Sequence, residues 1–227
     1  MKVVRFSQRG LVGSWRFDEE TGSTAKDSSP YGNHGTIYGA TRVRGIIGKA
    51  LSFDGEDDYV EVNDSESLDI TDEITITLWL KRKNNDTSII FKAGGSLGSG
   101  TGSGYRVILD EDNKISFNLR HGSSEDWVTC NSTIPADVFT FIVVTFDGSV
   151  AKIYVNSELD KTGYMSPCWT NDVPLRIGHR GWNPNYFNGT IDEVRIYNRA
   201  LSPGEIRIHY AFFKYIKPHP IIMRRKL

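Results

Sequence analysis

The sequence predicts an all-β protein, two facing antiparallel sheets in a sandwich, with one short helix near the C-terminus. Three observations carry that reading. Short runs of alternating apolar and polar residues recur along all 227 residues, rich in β-branched and aromatic side chains and bounded by Gly, Asn and Asp. No span between them is long and periodic enough for a crossover helix, which argues against a parallel α/β sheet. The hydrophobic fraction, 38% beside 24% charged, is modest and evenly spread, as a half-buried sheet protein requires.

In chain order, the first run is Leu11 to Phe17. Ala50 to Phe53 and Tyr59 to Val62 follow, parted by the turn Asp54-Gly55. Ile74, Ile76, Leu78 and Leu80 form one apolar face, with Thr75, Thr77 and Trp79 on the other. A sandwich needs only one apolar face per sheet. Tyr105 to Leu109, Ile115 to Leu119, Phe139 to Phe146, Ala151 to Val155, Leu175 to Ile177 and Ile191 to Tyr197 complete the set. Asp147-Gly148 reads as a tight hairpin turn. The glycine-rich stretch Gly94 to Gly104 reads as a flexible hairpin tip, too irregular for a phosphate loop. Ser202-Pro203-Gly204-Glu205 has capping-box spacing with Pro at the first helical position. Ile206, His209, Tyr210 and Phe213 recur behind it at helical intervals.

Composition excludes several classes. A net charge of −1 argues against a nucleic-acid binder, which needs a basic surface. No apolar run approaches the roughly 18 residues of a membrane-spanning helix. The N-terminal MKVVRFSQRG lacks the apolar segment of a secretory signal. Cys130 and Cys168 have no zinc or CxxC spacing, and they are either one disulfide or two buried thiols. The sequons at Asn85, Asn131 and Asn188 read as chance occurrences.

The strings Leu11-Val12-Gly13-Ser14-Trp15-Arg16-Phe17-Asp18-Glu19, Ala25 to Thr36 and Gly48 to Gly55 carry a family likeness. So do Leu175 to Gly178 and Gly189-Thr190-Ile191-Asp192-Glu193-Val194-Arg195-Ile196-Tyr197 running on to Ser202. Together, over roughly residues 11–212, they resemble the laminin-G-like modules of the concanavalin A-like lectin/glucanase superfamily. The resemblance implies a two-sheet antiparallel jelly roll whose first and last strands pair. It divides the chain into an extension (1–10), the sandwich (11–213) and a basic-apolar tail (214–227).

It also implies a structural calcium, Ca2+, held by Asp27, Asn33 and Asp192, with Asp18 a further ligand, where the terminal strands run side by side. Carboxylate and backbone oxygens are what calcium takes. Each acid has a second reading. Asp27 suits an Asx turn before Ser28-Ser29-Pro30, Asp192 could pair with Arg16 or Arg195, and Asp54 to Asp58 offers a competing acidic stretch.

The superfamily includes glucanases, but the acids do not match a glycosidase. Asp192 and Glu193 are adjacent and would face opposite ways in a strand, whereas catalysis needs both carboxylates on one face. No Ser-His-Asp, Cys-His or HExxH pattern occurs among the histidines, so no catalytic residues are expected. Binding is the better case. Trp15 and Trp79 lie in strands and are expected to pack in the core. Trp169, Trp182 and Tyr186, with His179 and Arg180, offer aromatic faces and polar groups for a sugar ring, or else anchor loops. The expected function is a non-catalytic module for a glycan or cell-surface ligand, working outside a cell or on a virion surface, with the cytoplasm left open. The alternative is an assembly protein, such as a virion decoration or attachment protein, that forms homo-oligomers or docks through the tail.

Overall fold

A computed structural model describes residues 8–83, 87–94, 102–180 and 185–215. The described residues form sixteen strands. The first eight are β1 (Leu11–Trp15), β2 (Thr24–Ala25), β3 (Gly35–Tyr38), β4 (Thr41–Arg44), β5 (Lys49–Asp54), β6 (Tyr59–Val62), β7 (Glu73–Arg82) and β8 (Thr87–Gly94). Then come β9 (Gly102–Leu109), β10 (Ile115–Gly122), β11 (Ser124–Thr129), β12 (Thr140–Asp147), β13 (Val150–Val155), β14 (Glu158–Tyr164), β15 (Leu175–Ile177) and β16 (Asn188–Tyr197). The helix α1 (Pro203–Tyr215) closes the fold.

Two antiparallel sheets result. The first runs β14-β13-β12-β7-β16-β5-β4, with β1 also paired to β16; the second runs β11-β10-β9-β8-β15-β6-β3-β2. The two ends of the chain pair as expected, with Trp15 opposite Val194. Alternation decides what each face does. Ile76, Leu78 and Leu80 of β7 meet Tyr105, Val107 and Leu109 of β9 and Phe117 and Leu119 of β10 in one core between the sheets. Trp15 is fully buried there, and its Nε1–H donates to the Asn33 carbonyl at 2.8 Å.

The helix begins where its capping box predicts. The Glu205 N–H donates to Ser202 Oγ at 3.3 Å, and the Ser202 N–H donates to Glu205 Oε2 at 2.9 Å. Its Ile206 and Phe213 pack on the outside of the first sheet with Trp79, Phe141, Val143 and Tyr197, and Tyr210 stacks on Trp79 at 5.7 Å. Trp79 therefore packs in a core as expected, a second one beneath the helix on the sheet face opposite the inter-sheet core. Ser202→Ala is expected to lower stability by about 1 kcal/mol, read as a lower denaturation midpoint with an unchanged slope.

Trp127 lies in β11 opposite Asn118. The glycine-rich stretch extends the hairpin at both ends, since Ala93 pairs with Gly104 and Gly94 with Ser103; residues 95–101 lie outside the described residues. Cys130 and Cys168 are free buried thiols, and burial pushes them up to about 11 and about 12. Among the described residues no helix is long and apolar enough to cross a membrane.

Candidate functional site: the outer face of the second sheet

The residues between the core positions of the second sheet alternate with them and form a continuous row across seven strands. Thr36 of β3 faces Glu61 of β6, Glu61 faces Arg176 of β15, and Arg176 faces Phe91 of β8. Phe91 faces Arg106 of β9, Arg106 faces Asn118 of β10, and Asn118 faces Trp127 of β11 on the far edge. Within the row Phe91, Arg106 and Asn118 are almost fully buried, while Trp127 at its edge is exposed. Arg106 lies 4.6 Å from the centre of the Trp127 ring, and its Nη2 pairs with Glu125 at 2.7 Å. Arg120, one pair further along β10, reaches the same Glu125 at 3.4 Å.

At the other end of the face stands an aromatic ladder. Tyr38 stacks on Tyr59 at 4.6 Å, Tyr59 meets the Tyr186 ring at 6.4 Å, and Tyr186 lies flat on His179 at 4.1 Å and 6°. His179 and Tyr186 form an isolated β-bridge, which fixes this stack at the backbone level. Arg176 extends over Tyr59 and pairs with Glu61 at 2.8 Å.

Of the expected ligand residues, two take part in the ladder. His179 and Tyr186 join the ladder, and Arg180 lies near enough to Arg106 to depress its pKa. Trp169 is exposed, and its backbone N–H donates to the Arg120 carbonyl at 3.3 Å. Trp182 lies outside the described residues. Tyr38, Tyr59, Arg106, Asn118 and Trp127 were missed. Each is a polar or aromatic residue alternating with core positions, and only the strand register places them side by side.

The four expected metal ligands fall in two places. One edge of β1 pairs with β16, and Asp27 bridges to Trp15 from the other. Its Oδ1 accepts the N–H groups of Ser14 (2.7 Å) and Ser29 (2.8 Å), and its Oδ2 accepts Ser29 Oγ–H (2.5 Å) and the Asn33 N–H (2.8 Å). The Asn33 amide donates to the Val12 carbonyl and Ser67 Oγ. Asp27 and Asn33 thus form the Asx-type turn that was the second reading of the sequence. They do not fit as ligands in one centre with Asp192.

Asp18 and Asp192 do come together, across the turn Gly45 to Lys49. Asp192 Oδ2 accepts the Ile46 N–H and Asp18 Oδ1 accepts the Lys49 N–H. A side chain at Gly45 would collide with Asp192, and one at Gly48, at φ +61°, with Asp18. The neighbours Asp192 and Glu193 do not simply alternate as expected. Glu193 has φ +52° inside a register shift of β16, so both carboxyls are buried. Arg195 and Arg16 flank Glu193. Burial, and then Glu193, push Asp192 up to about 8, and its Oδ1 has no hydrogen-bond partner. Among the described residues, the carboxylate trio whose oxygens lie within 4.8 Å of one another is Asp54, Asp57 and Asp58, in the turn beside Gly39 and Gly178.

Comparison with known proteins defines the class. Residues 54–207 match the laminin-G family of the concanavalin A-like lectin/glucanases superfamily, and the chain belongs to it. It is 25% identical over 144 residues to adhesion G-protein coupled receptor V1 of Danio rerio, spanning 58% of this chain and 2% of that receptor. Domain 4 of the arabinanase AbnA from Geobacillus stearothermophilus, solved with arabinotriose, superposes with a TM-score of 0.67 at 23% identity, covering 87% of this chain and 96% of that one. The binding domain of a paraclostridial mosquitocidal protein gives 0.74 at 16% identity, covering 90% of this chain and 52% of that one. At these identities the structural likeness speaks to the fold alone.

Proposed function

We propose that the chain is a non-catalytic recognition module that binds carbohydrate on the outer face of its second sheet and works outside a cell on a glycan or cell-surface ligand. The observation that carries this is the ladder Tyr38–Tyr59–Tyr186–His179, continuous with a polar row that ends on Trp127. Flat rings offer apolar surface to the C–H face of a sugar, and the placed amide and guanidinium groups can take its hydroxyls. The sugar-bound arabinanase domain and the toxin binding domain, alike in fold, support the reading by analogy.

Hydrolysis is not part of the proposal. Glycosidases need two carboxylates flanking the sugar, one of them able to give a proton. On this face Glu61 is held by Arg176 and Glu125 by Arg106, so each carboxylate is engaged with a guanidinium rather than set opposite a second carboxylate. A glycan array tests the reading. Wild-type chain is expected to bind, and Tyr186→Ala to weaken binding about tenfold or more with an unchanged melting temperature. Equal binding by both would remove this face from consideration.

The proposal keeps a structural calcium, at the Asp18–Asp192 pair rather than at the four-residue set. The buried, unpartnered Asp192 Oδ1 supports it. Calcium is expected to raise the melting temperature of the wild type by several degrees and to leave Asp192→Asn unmoved. No shift in the wild type would remove the metal.

A further inference from the structure

We propose that the folded chain joins Lys92 to Asp69 through an isopeptide bond, with Asp64 as the proton carrier. The proposal stands apart from the carbohydrate reading and does not depend on it.

Lys92 of β8 is completely buried and stands directly opposite Tyr105 of β9, so it shares the core face of the second sheet. The Tyr105 hydroxyl donates to the Leu68 carbonyl at 3.1 Å, which fastens the segment 64–69, between β6 and β7, to this part of the core. Two carboxylates of that segment reach the Lys92 Nζ, Asp64 at 2.7 Å and Asp69 at 2.9 Å. The connection from β14 to β15 supplies two carbonyls, of Asn171 at 3.2 Å and Val173 at 3.1 Å.

Four oxygens thus surround a group that has only three N–H donors. The three go to Asp64, Asn171 and Val173. Asp69 Oδ1 is left against the nitrogen without a hydrogen bond, although it is itself buried. A plain ion pair directs an N–H at each carboxylate. A nitrogen held beside a carboxyl group that receives none of its protons is instead placed as a nucleophile beside its target.

Burial favours the neutral forms that react, because proton transfer from a buried ammonium to a carboxylate removes two charges at once. Asp64 takes one proton from Nζ and passes it to an Asp69 oxygen, leaving an amine beside a carboxylic acid. The Nζ lone pair then attacks the Asp69 Cγ. Asp64 takes the second proton from the nitrogen and hands it to the departing hydroxyl. The Cγ–O bond breaks, the Nζ–Cγ amide remains, one water leaves, and Asp64 ends ionised as it began. The Asp64 side chain is one-third exposed, which opens a way out for that water. The bond staples β8 to the segment leading into β7, a covalent tie that the free thiols Cys130 and Cys168 do not supply.

The test is the intact mass of the whole chain, purified in its folded state and then denatured. The wild type is expected to be lighter than its sequence by one water, and its digest to contain a branched peptide joining Lys92 to Asp69. Lys92→Met and Asp69→Ala should each keep the full sequence mass. Asp64→Ala retains both bonding partners and is expected to keep the full mass as well, with the circular dichroism of the wild type. The wild-type mass decides the matter even where a variant fails to fold: a folded wild type of full sequence mass would overturn the proposal. A missing water that persists in Lys92→Met, or a branch at Asp64 in place of Asp69, would overturn it too. Undiminished loss of water in Asp64→Ala would overturn the role given to Asp64.

Discussion

Asp27→Ala is expected to lower stability by about 3 kcal/mol or more, and by the same amount in calcium and in chelator. The carboxylate is 7% exposed and accepts four hydrogen bonds, from Ser14, Ser29 (twice) and Asn33. Removing it leaves the buried Ser14 N–H without an acceptor, at about 1–3 kcal/mol, and frees the partly buried Ser29 and Asn33 groups at lesser cost. The loss extends further. Asn33 supplies the carbonyl that receives the Trp15 indole N–H and the amide that ties Val12 to Ser67, so the turn, β1 and the core loosen together. Chemical denaturation with and without chelator gives the measurement. A calcium-dependent difference between wild type and Asp27→Ala would return Asp27 to the role of metal ligand.

Acidification is expected to cost the wild type a few kcal/mol between pH 6.5 and pH 3 through a single side chain, His209. It is buried between α1 and the first sheet, with the Tyr197 ring at 6.0 Å. Burial, and then the positive charge of Arg195, lower its pKa to about 3. Arg199 lowers it further, and Glu205 opposes both. A histidine whose folded pKa lies below its unfolded value binds fewer protons when folded. Its contribution is therefore intact above pH 6.5 and drains away as the pH falls toward 3. The loss can reach about 1.4 kcal/mol per pH unit within that window. His209→Gln should flatten the stability profile there. Parallel profiles for the two proteins would mean that His209 is protonated in the folded state.

The strands that are buried on both faces were legible in the sequence, because long runs rich in β-branched and aromatic residues mark such burial. β7, β12 and β16 are of this kind, and so is the pairing of β1 with β16 that the family strings implied. The edge strands were not. β14 is exposed along most of its length and β4 is at best half-buried, so neither carries an apolar period to read. β8 was hidden by its register shift between Ser88 and Ile90, which puts two isoleucines in succession into the core.

The functional face follows the same logic. His179, Arg180 and Tyr186 stood out because they cluster within eight residues. Arg106, Asn118 and Trp127 are neighbours only through hydrogen-bond register. The metal set was half separable for a related reason. Both Asp27 and Asp192 lie near β1, but on opposite edges of it, and the sequence does not record which edge a bridging residue takes.

The account depends on the outer face of the second sheet being where a ligand sits. Amide chemical-shift mapping during titration with the strongest glycan from the array tests this most directly. The expected shifts cluster at Tyr59, Arg106, Asn118, Trp127, Arg176 and Tyr186, with α1 and the first sheet silent. Shifts concentrated on α1, or on the turn between Gly45 and Lys49, would contradict it.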